Sequence, residues 1–322
     1  MTGATAFVTG GSGFLGSRLI PALISRGYQV RALARSAESA AVIAERGAHA
    51  VTADLADVSA LTDAMTGCSH VLHCAARHRE GGSPAAFHRD NVTGTENALA
   101  AAQAAGVSRF LMVGAAMCLL GGQPIENADE TWPLHELRYS AYARTKTIAD
   151  RKVLAADREG FTTCVVRPGW IWGPGDPQSA SVVDAARTGR LRLIDGGRYP
   201  IVTSHIDNTV HAIDLALQRG AHAQAYYVFD DDTIKIRDFL ARILAVHGIA
   251  APTRSISRRT AWMAATMMDH AWTILRRPGQ PPVSRLMVAL NGGPFLVSDT
   301  KARRQLGYTP VISRENAFSV LT

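Results

Sequence analysis

Between Ala4 and Gly16 the chain reads A-T-A-F-V-T-G-G-S-G-F-L-G, and apolar residues then recur at Phe14, Leu15, Leu19, Ile20, Leu23 and Ile24. Ala6-Phe7-Val8 suits a short buried strand and the later spacing suits one face of a helix, so the glycines fall in a tight turn between the two. Gly10 is placed to permit the turn, Gly13 to let a pyrophosphate approach the backbone, and Gly16 to let helix pack on strand. Free N–H groups and the helix dipole favour an anion at such a helix start. Gly10, Ser12, Gly13, Phe14, Leu15 and Gly16 are therefore the candidate cradle for a dinucleotide.

The alternation continues along the chain. Strand-like runs at Gln29–Ala34, His49–Thr52, Ser69–Cys74, Arg109–Val113 and Thr162–Val166 are separated by helical segments, among them Ala37–Arg46, Pro84–Ala105 and one from about Tyr139 to Glu159. No hairpin signals intervene, so the fold class is α/β, a doubly wound parallel sheet with right-handed connections. Beyond Arg167-Pro168 glycine and proline thicken and strict alternation stops, which predicts that the chain leaves the sheet to build a smaller, mostly helical C-terminal substrate lobe. Ile206–Gln218 reads as a helix and Tyr226–Phe229 as a strand returning to the sheet. The expected division is a nucleotide-binding domain of residues 1–167 plus about 205–230, and a lobe of about 168–204 plus 231–322.

A chain of 322 residues with 47% hydrophobic and 19% charged residues can bury a large core and is not a disordered type. Its formal net charge of +7 admits nucleic acid, a membrane surface or an anionic cofactor as partner. No Lys/Arg block with interleaved aromatics occurs, which argues against nucleic acid. The first strand follows Met1 almost at once and leaves no room for a signal peptide, so a cytoplasmic location is expected. Cys68, Cys74, Cys118 and Cys164 show no Cys-x-x-Cys spacing and read as reduced, buried thiols; no metal is expected.

Arg35 follows the second strand, where an acidic residue would accept a hydrogen bond from an adenosine ribose 2′-hydroxyl. A guanidinium suits a 2′-phosphate instead, so NADP(H) is favoured and NAD(H) remains possible. Asp54 and Leu55 after the third strand, and Ala75 and Ala76 after the fourth, leave the sheet on the same edge and are candidate wall residues of the cofactor crevice.

Tyr142 and Lys146, in S-A-Y-A-R-T-K, stand one turn apart on one face of the helix that follows the fifth strand. A phenol is a poor acid or base at neutral pH, but an adjacent ammonium stabilises the phenolate and lowers its pKa. Tyr142 could then exchange a proton with a hydroxyl or carbonyl while a nicotinamide exchanges hydride.

T-G-G-S-G-F-L-G, Asn91-Val92-x-Gly94-Thr95, the Tyr142/Lys146 pair and R-P-G-W-I-W-G-P-G-D from Arg167 to Asp176 together resemble an extended short-chain dehydrogenase/reductase of Rossmann fold, in the NAD-dependent epimerase/dehydratase family. Thr203–Ala212 and Ser298–Pro310 are similar to later motifs of its 3β-hydroxysteroid dehydrogenase-like and bacterial ketoreductase members. The resemblance implies that Tyr142 is the acid/base, that Lys146 holds the nicotinamide ribose, and that Pro168, Trp170 and Ile171 contact the carboxamide. It also implies a homodimer paired through Pro84–Ala105 and Tyr139–Glu159. One member of the family's catalytic set, a Ser or Thr at the end of the fifth strand, is missing: its place falls on Ala115 or Ala116 in V-G-A-A-M-C-L-L-G. Cys118, His78 and His135 are candidate replacement donors.

Met117, Leu119, Leu120, Trp170 and Trp172 suggest an apolar substrate site. The function this implies is an NADP(H)-dependent oxidoreductase interconverting a hydrophobic ketone and secondary alcohol, steroid-like or from secondary metabolism. Two alternatives stand beside it: a catalytically impaired NADP(H)-binding sensor or scaffold, motivated by the missing hydroxyl, and a nucleotide-sugar epimerase or dehydratase, motivated by Arg187, Arg190, Arg192 and Arg198 in the lobe. Thr260–Leu275, rich in Met and Trp and flanked by Arg258, Arg259, Arg276 and Arg277, is too short and too interrupted to span a membrane. It reads as a core or dimer-interface helix, a pocket wall, or a weak surface contact with a membrane.

Overall fold

The computed structural model describes residues 3–78, 83–231, 233–275 and 281–321. Seven strands form one sheet: β1 (Thr5–Thr9), β2 (Gln29–Ala34), β3 (His49–Thr52), β4 (His70–His73), β5 (Arg109–Val113), β6 (Thr162–Pro168) and β7 (Gln224–Val228). Their spatial order is β7-β6-β5-β4-β1-β2-β3, and every pairing is parallel. The order reverses between β1 and β4, where the carboxyl ends of neighbouring strands diverge and open a crevice.

Both faces of the sheet are covered, as an all-parallel sheet requires. Helices α1 (Gly16–Ser25) and α2 (Ala37–Glu45) lie with α8 (Ile206–Arg219) on one face, where Leu19, Ile20, Leu23, Ile43, Ile213 and Leu217 pack against Val8, Ala32 and Val166. On the other face α3 (Val58–Met65), α5 (Gly94–Ala104) and α6 (Ala141–Ala155) bury Leu61, Met65, Ala98, Ala102, Ala149 and Val153 against Phe7, Val71 and Phe110.

The segment expected as one long helix at Pro84–Ala105 is broken in register. Helix α4 (Pro84–His88) widens into a π turn at Arg89–Thr93 before α5 begins. The π turn brings Asn91 inward, 2% exposed, where its Nδ2 donates to the Arg77 carbonyl (3.2 Å) and to Thr145 Oγ1 (3.1 Å). Such turns concentrate at functional sites because they re-aim one side chain within a helix.

The C-terminal lobe contains α7 (Pro177–Arg187), α9 (Ile236–Val246) and α10 (Arg258–Ile274), tied together by short ladders. Trp170–Trp172 pairs with Thr203–His205, Leu193–Ile194 with Ser255–Ile256, and Pro200–Ile201 with Ile234–Lys235. A further ladder joins Ile125–Ala128, just after the sheet's fifth strand, to Phe295–Val297 near the end of the chain. Among the described residues no helix is long and apolar enough to cross a membrane.

Candidate active site

The glycine turn has the geometry its spacing implies. Gly10 has φ +73°, and a Cβ on it would stand 2.8 Å from the Ala75 nitrogen, because β4 leaves the sheet directly against it. A Cβ on Gly16 would collide with the Gly11 carbonyl. Gly13 differs: the nearest atom to a Cβ there is the Gly10 oxygen at 3.3 Å, so the space over it is otherwise open. The N–H groups of Ser12, Phe14 and Leu15 donate to no group among the described residues, and they stand at the start of α1, where a phosphate would satisfy them. The residues present fit a dinucleotide pyrophosphate. Arg46 braces the turn from outside, donating to the carbonyls of Gly13 (2.9 Å) and Gly11.

A buried histidine fixes the turn from beneath. His73 Nδ1 lies 2.9 Å from Thr9 Oγ1, and its Nε2 lies 2.9 Å from Thr95 Oγ1. The Thr95 hydroxyl donates to the Asn91 carbonyl (2.7 Å), so it accepts from Nε2–H, which leaves Nδ1 to accept from Thr9. Burial, helped by the Lys146 charge, pushes the imidazole pKa down to about 3. Neutral His73 thus ties β1, β4 and α5 together below the crevice.

Arg35 is exposed at the end of β2. Ser36 beside it caps α2, accepting from the Ser39 nitrogen (3.3 Å). Asp54 accepts from the Ala56 nitrogen (2.8 Å), and the Leu55 carbonyl accepts from Asn97 Nδ2 (2.8 Å). Ala75 and Ala76 follow β4, and the Ala75 nitrogen donates to Thr9 Oγ1 at 3.1 Å. These residues lie at the carboxyl ends of β2, β3 and β4. Pro168 ends β6, buried. Trp170 and Ile171 beyond it are half-buried, with Trp170 Nε1 donating to Asp176 Oδ2 (3.1 Å).

Tyr142 occupies the first turn of α6, whose start is capped by Ser140 accepting from the Ala143 nitrogen (3.2 Å). Its half-buried ring meets His78 edge to face with centroids 4.8 Å apart, and Phe87 lies 6.5 Å away. Burial holds the phenol pKa well above its ordinary value, and the neighbouring Cys118 adds to that. Lys146, 6% exposed, donates from Nζ to the Val113 carbonyl at 2.6 Å. Burial lowers the Lys146 pKa, against opposing effects from Cys118, Asp150 and Cys74. The expected lowering of the phenol pKa by Lys146 is therefore absent here: desolvation dominates at Tyr142, and the ammonium is engaged at the end of β5.

One further turn along α6 stands a residue the sequence reading missed. Asp150 is 0% exposed and receives a forked pair of bonds from Arg167, Nε to Oδ2 at 2.9 Å and Nη2 to Oδ1 at 2.6 Å. The Arg167 guanidinium also lies 5.3 Å from the centre of the Tyr227 ring. Burial alone would lower the arginine pKa; Asp150 overrides it and raises it. The recurrence of polar residues at 142, 146 and 150 inside an otherwise buried helix, opposite an arginine in an apolar strand, was the available signal.

Ala115 is extended and Ala116 begins a tight turn at Ala116–Leu119, so no hydroxyl is present at the end of β5. Cys118 is fully buried and its thiol is pushed up to about 11 by burial and by Asp150, against a Thr147 hydrogen bond. The His135 ring lies against Gln123 (3.3 Å). Met117, Leu119 and Leu120 form a cluster with Ile125, Leu137, Phe229 and Phe295, onto which Tyr142, Tyr139 and Leu290 pack.

One expectation about an apolar residue needs correction. Trp172 does not face a substrate site: it is 1% exposed, stacked on Phe318 at 4.5 Å, with Nε1 donating to Asp230 at 2.6 Å. Asp230 also takes bonds from Thr203, the His205 nitrogen and Asn208, so the tryptophan belongs to the lobe's core. In Thr260–Leu275, Ala261 and Ala265 point inward and Trp262 meets Tyr139 edge to face at 5.3 Å, while Met263 and Met267 are 60% and 73% exposed. That helix walls the apolar cluster with its Trp262 face. Arg258 and Arg259 are exposed at its start; Arg276 and Arg277 lie outside the described residues. In the lobe Arg190 pairs with Asp184 (2.6 Å), Arg192 donates to the Gly189 carbonyl (2.6 Å) and Arg198 to the Tyr199 hydroxyl (3.0 Å), all local contacts.

An all-parallel sheet opening at β1 and β4, a glycine turn with unsatisfied donors, and a tyrosine and lysine after β5 define a Rossmann-type enzyme of the extended short-chain dehydrogenase/reductase class. The model of the NAD dependent epimerase/dehydratase family matches residues 6–228, and the chain belongs to that family, as an NAD(P)-dependent oxidoreductase. It is 39% identical over 319 residues to a 4-hydroxy-2-methyl-3-oxo-4-farnesyl-3,4-dihydroquinoline-1-oxide ketoreductase of Stigmatella aurantiaca, covering 98% of this chain and 95% of the relative. It is 35% identical to a 2-alkyl-3-oxoalkanoate reductase of Stenotrophomonas maltophilia, covering 97% and 96%. In fold it resembles a dTDP-glucose 4,6-dehydratase of Streptomyces venezuelae solved with NAD, at a TM-score of 0.76 and 22% identity over 98% and 95% of the two chains.

Proposed function

We propose that this protein is an NADP(H)-dependent ketoreductase that reduces a bulky, apolar ketone to its secondary alcohol, with Tyr142 as the proton donor. The observation that carries the reading is the place of Tyr142: in the first turn of α6, half-buried against the cluster of Met117, Leu120 and Leu290, with Lys146 one turn below. An aliphatic wall of this kind rewards an apolar substrate by removing its surface from water. The Stigmatella and Stenotrophomonas relatives, whose names specify a farnesyl and an alkyl group, support the same class.

NADPH, when bound, would supply the hydride for reduction of the carbonyl. The free N–H groups of Ser12, Phe14 and Leu15 would hold the pyrophosphate, and the Arg35 guanidinium would suit the 2′-phosphate. Lys146, seated on the Val113 carbonyl, would hold the ribose, and Pro168, Trp170 and Ile171 would meet the carboxamide. Tyr142 gives its phenolic proton to the carbonyl oxygen as negative charge builds there. Any phenol is protonated at neutral pH, so Tyr142 carries the proton that reduction consumes, and burial, by raising its pKa, makes it a weaker acid than a free phenol. Residues 1–167 with about 205–230 form the cofactor domain in this reading, the remainder closes over the substrate, and α5 and α6 pair two copies into a dimer.

The test is oxidation of NADPH and NADH by the purified protein with a 2-alkyl-3-oxoalkanoate and a 3-ketosteroid. The reading expects turnover of at least one of these ketones, with NADPH preferred. The missing hydroxyl at Ala115 and Ala116 favours a second reading, a cofactor-binding sensor, which expects tight NADPH binding and no turnover. The local pairing of Arg190, Arg192 and Arg198 counts against a nucleotide-sugar substrate.

A further inference from the structure

Beyond the reading of the active site, and independent of it, we propose that the outer face of α10 is a docking surface for an anionic lipid bilayer, on which the protein lies without crossing it. The helix is apolar on two sides. Ala261 and Ala265 are buried with Ile194 and Val288, and Trp262 meets Tyr139, so one side is taken up by the protein's own core. On the other, Arg259, Met263, Met267, His270 and Ile274 are all exposed and follow one another at spacings of four, four, three and four residues, which places them on a single stripe. Met263, Met267 and Ile274 are 60%, 73% and 78% exposed, and Leu275 at the end of the stripe is 60% exposed. The outward face of a surface helix ordinarily carries charged and polar side chains. Apolar residues exposed singly need no explanation, but three on one stripe with a fourth at its end form a patch.

Charge selects the occupant. Between residues 251 and 290 the chain carries Arg254, Arg258, Arg259, Arg276, Arg277 and Arg285, no lysine, and a single acid, Asp269, so most of the net charge of +7 resides in this stretch. Arg254, Arg258 and Arg259 are exposed at the start of α10, while Arg276 and Arg277 follow Leu275 in the chain and lie outside the described residues. Asp269 is 15% exposed and paired with Arg285 at 2.8 Å. Asp195, which accepts from the Arg258 nitrogen (2.9 Å), faces Arg198 at 3.7 Å. The stripe itself therefore holds no negative charge. Two copies of this chain meeting through it would bring their arginines together, and like charges oppose such an interface. A bilayer with anionic headgroups meets the arginines with opposite charge and gives the methionines and Ile274 an acyl layer to enter. Methionine, unbranched and adaptable, suits a fluid surface of this kind. Through Trp262 and Tyr139 the inner side of the same helix reaches the apolar cluster onto which Tyr142 packs.

The experiment is co-sedimentation of the purified full-length protein with vesicles of phosphatidylglycerol and phosphatidylcholine mixed equally, and with vesicles of phosphatidylcholine alone. The expected result is binding to the mixed vesicles at low salt, little binding to the neutral ones, and release as salt is raised to about 1 M. Two double variants separate the contributions, and because all four side chains are exposed, circular dichroism should show both proteins folded. Met263→Ser with Met267→Ser removes apolar surface and should weaken vesicle binding by at least about tenfold. Arg258→Gln with Arg259→Gln removes two charges and should weaken it by about tenfold or more. Val320→Ser, at a residue 76% exposed near the end of the chain, should leave it unchanged. The proposal is overturned if the parental protein does not sediment with the mixed vesicles, if it binds neutral and anionic vesicles equally, or if either double variant binds within about threefold of the parent. It is equally overturned if sedimentation velocity shows a dimer that the serine pair dissociates while no vesicle binding occurs, since the face then belongs to a second copy. None of these readouts requires turnover, so failure here leaves the reading of Tyr142 untouched, and failure of that reading leaves this one standing.

Discussion

Asp150 and Arg167 form a forked, fully enclosed ion pair directly beneath the end of β5, with side-chain exposures of 0% and 4%. It is built between the helix that carries Tyr142 and Lys146 and the strand that leads to Trp170. A Cβ on Gly114 would stand 3.0 Å from Asp150 Oδ2 and 2.7 Å from Val165 Cγ1, so the glycine at the strand's exit makes room for the pair. The floor of the site is thus electrostatic where most of the core is apolar.

Removing one partner strands a buried charge. Asp150→Asn is expected to cost about 3–5 kcal/mol in urea unfolding, and Asp150→Leu with Arg167→Met together to cost clearly less than the single change, because no unpaired charge remains. Equal losses in the single and double variants would refute the account of the pair.

His73 makes stability depend on pH. Its pKa falls from an ordinary 6.5 to about 3 in the folded protein. The unfolded chain therefore takes up a proton below 6.5 that the folded one refuses, and stability is present above 6.5 and lost as pH falls toward 3. Between pH 7 and 5 this contribution is about 2 kcal/mol. His73→Gln should be less stable at pH 7 and show a correspondingly shallower loss over that interval; an unchanged slope of unfolding free energy against pH contradicts it.

How much of this was visible beforehand follows from which forces are local. Gly10, Gly13 and Gly16 mark a turn whose constraints act within a few residues, and the strands that follow are short apolar runs, so the parallel sheet was legible. The π turn at Arg89–Thr93 was not, because helical spacing persists through it and only Asn91's long-range bonds to Arg77 and Thr145 reveal the extra residue. Trp172 was misplaced for a similar reason: a tryptophan in a Gly/Pro-rich stretch looks like a pocket wall until Asp230, 58 residues on, is seen to accept its Nε1–H. The Tyr142/Lys146 spacing was readable, but Lys146's bond to Val113 depends on how α6 packs over β5.

Cofactor choice should reside in Arg35. Its exposed position means that Arg35→Ala leaves folding intact, while the loss of one charge-assisted hydrogen bond weakens NADPH binding by about 10 to 100-fold and leaves NADH binding unchanged. Parallel fluorescence titrations with the two cofactors read the ratio. A loss shared equally by both would move the 2′-phosphate contact elsewhere.

The reading of Tyr142 as proton donor is tested most directly by the steady-state kinetics of Tyr142→Phe with NADPH and the better ketone. Removing the only transferable proton on that ring should lower kcat by about 10² to 10⁴-fold while NADPH affinity stays within about twofold. A Tyr142→Phe protein that turns over at the parental rate would contradict it.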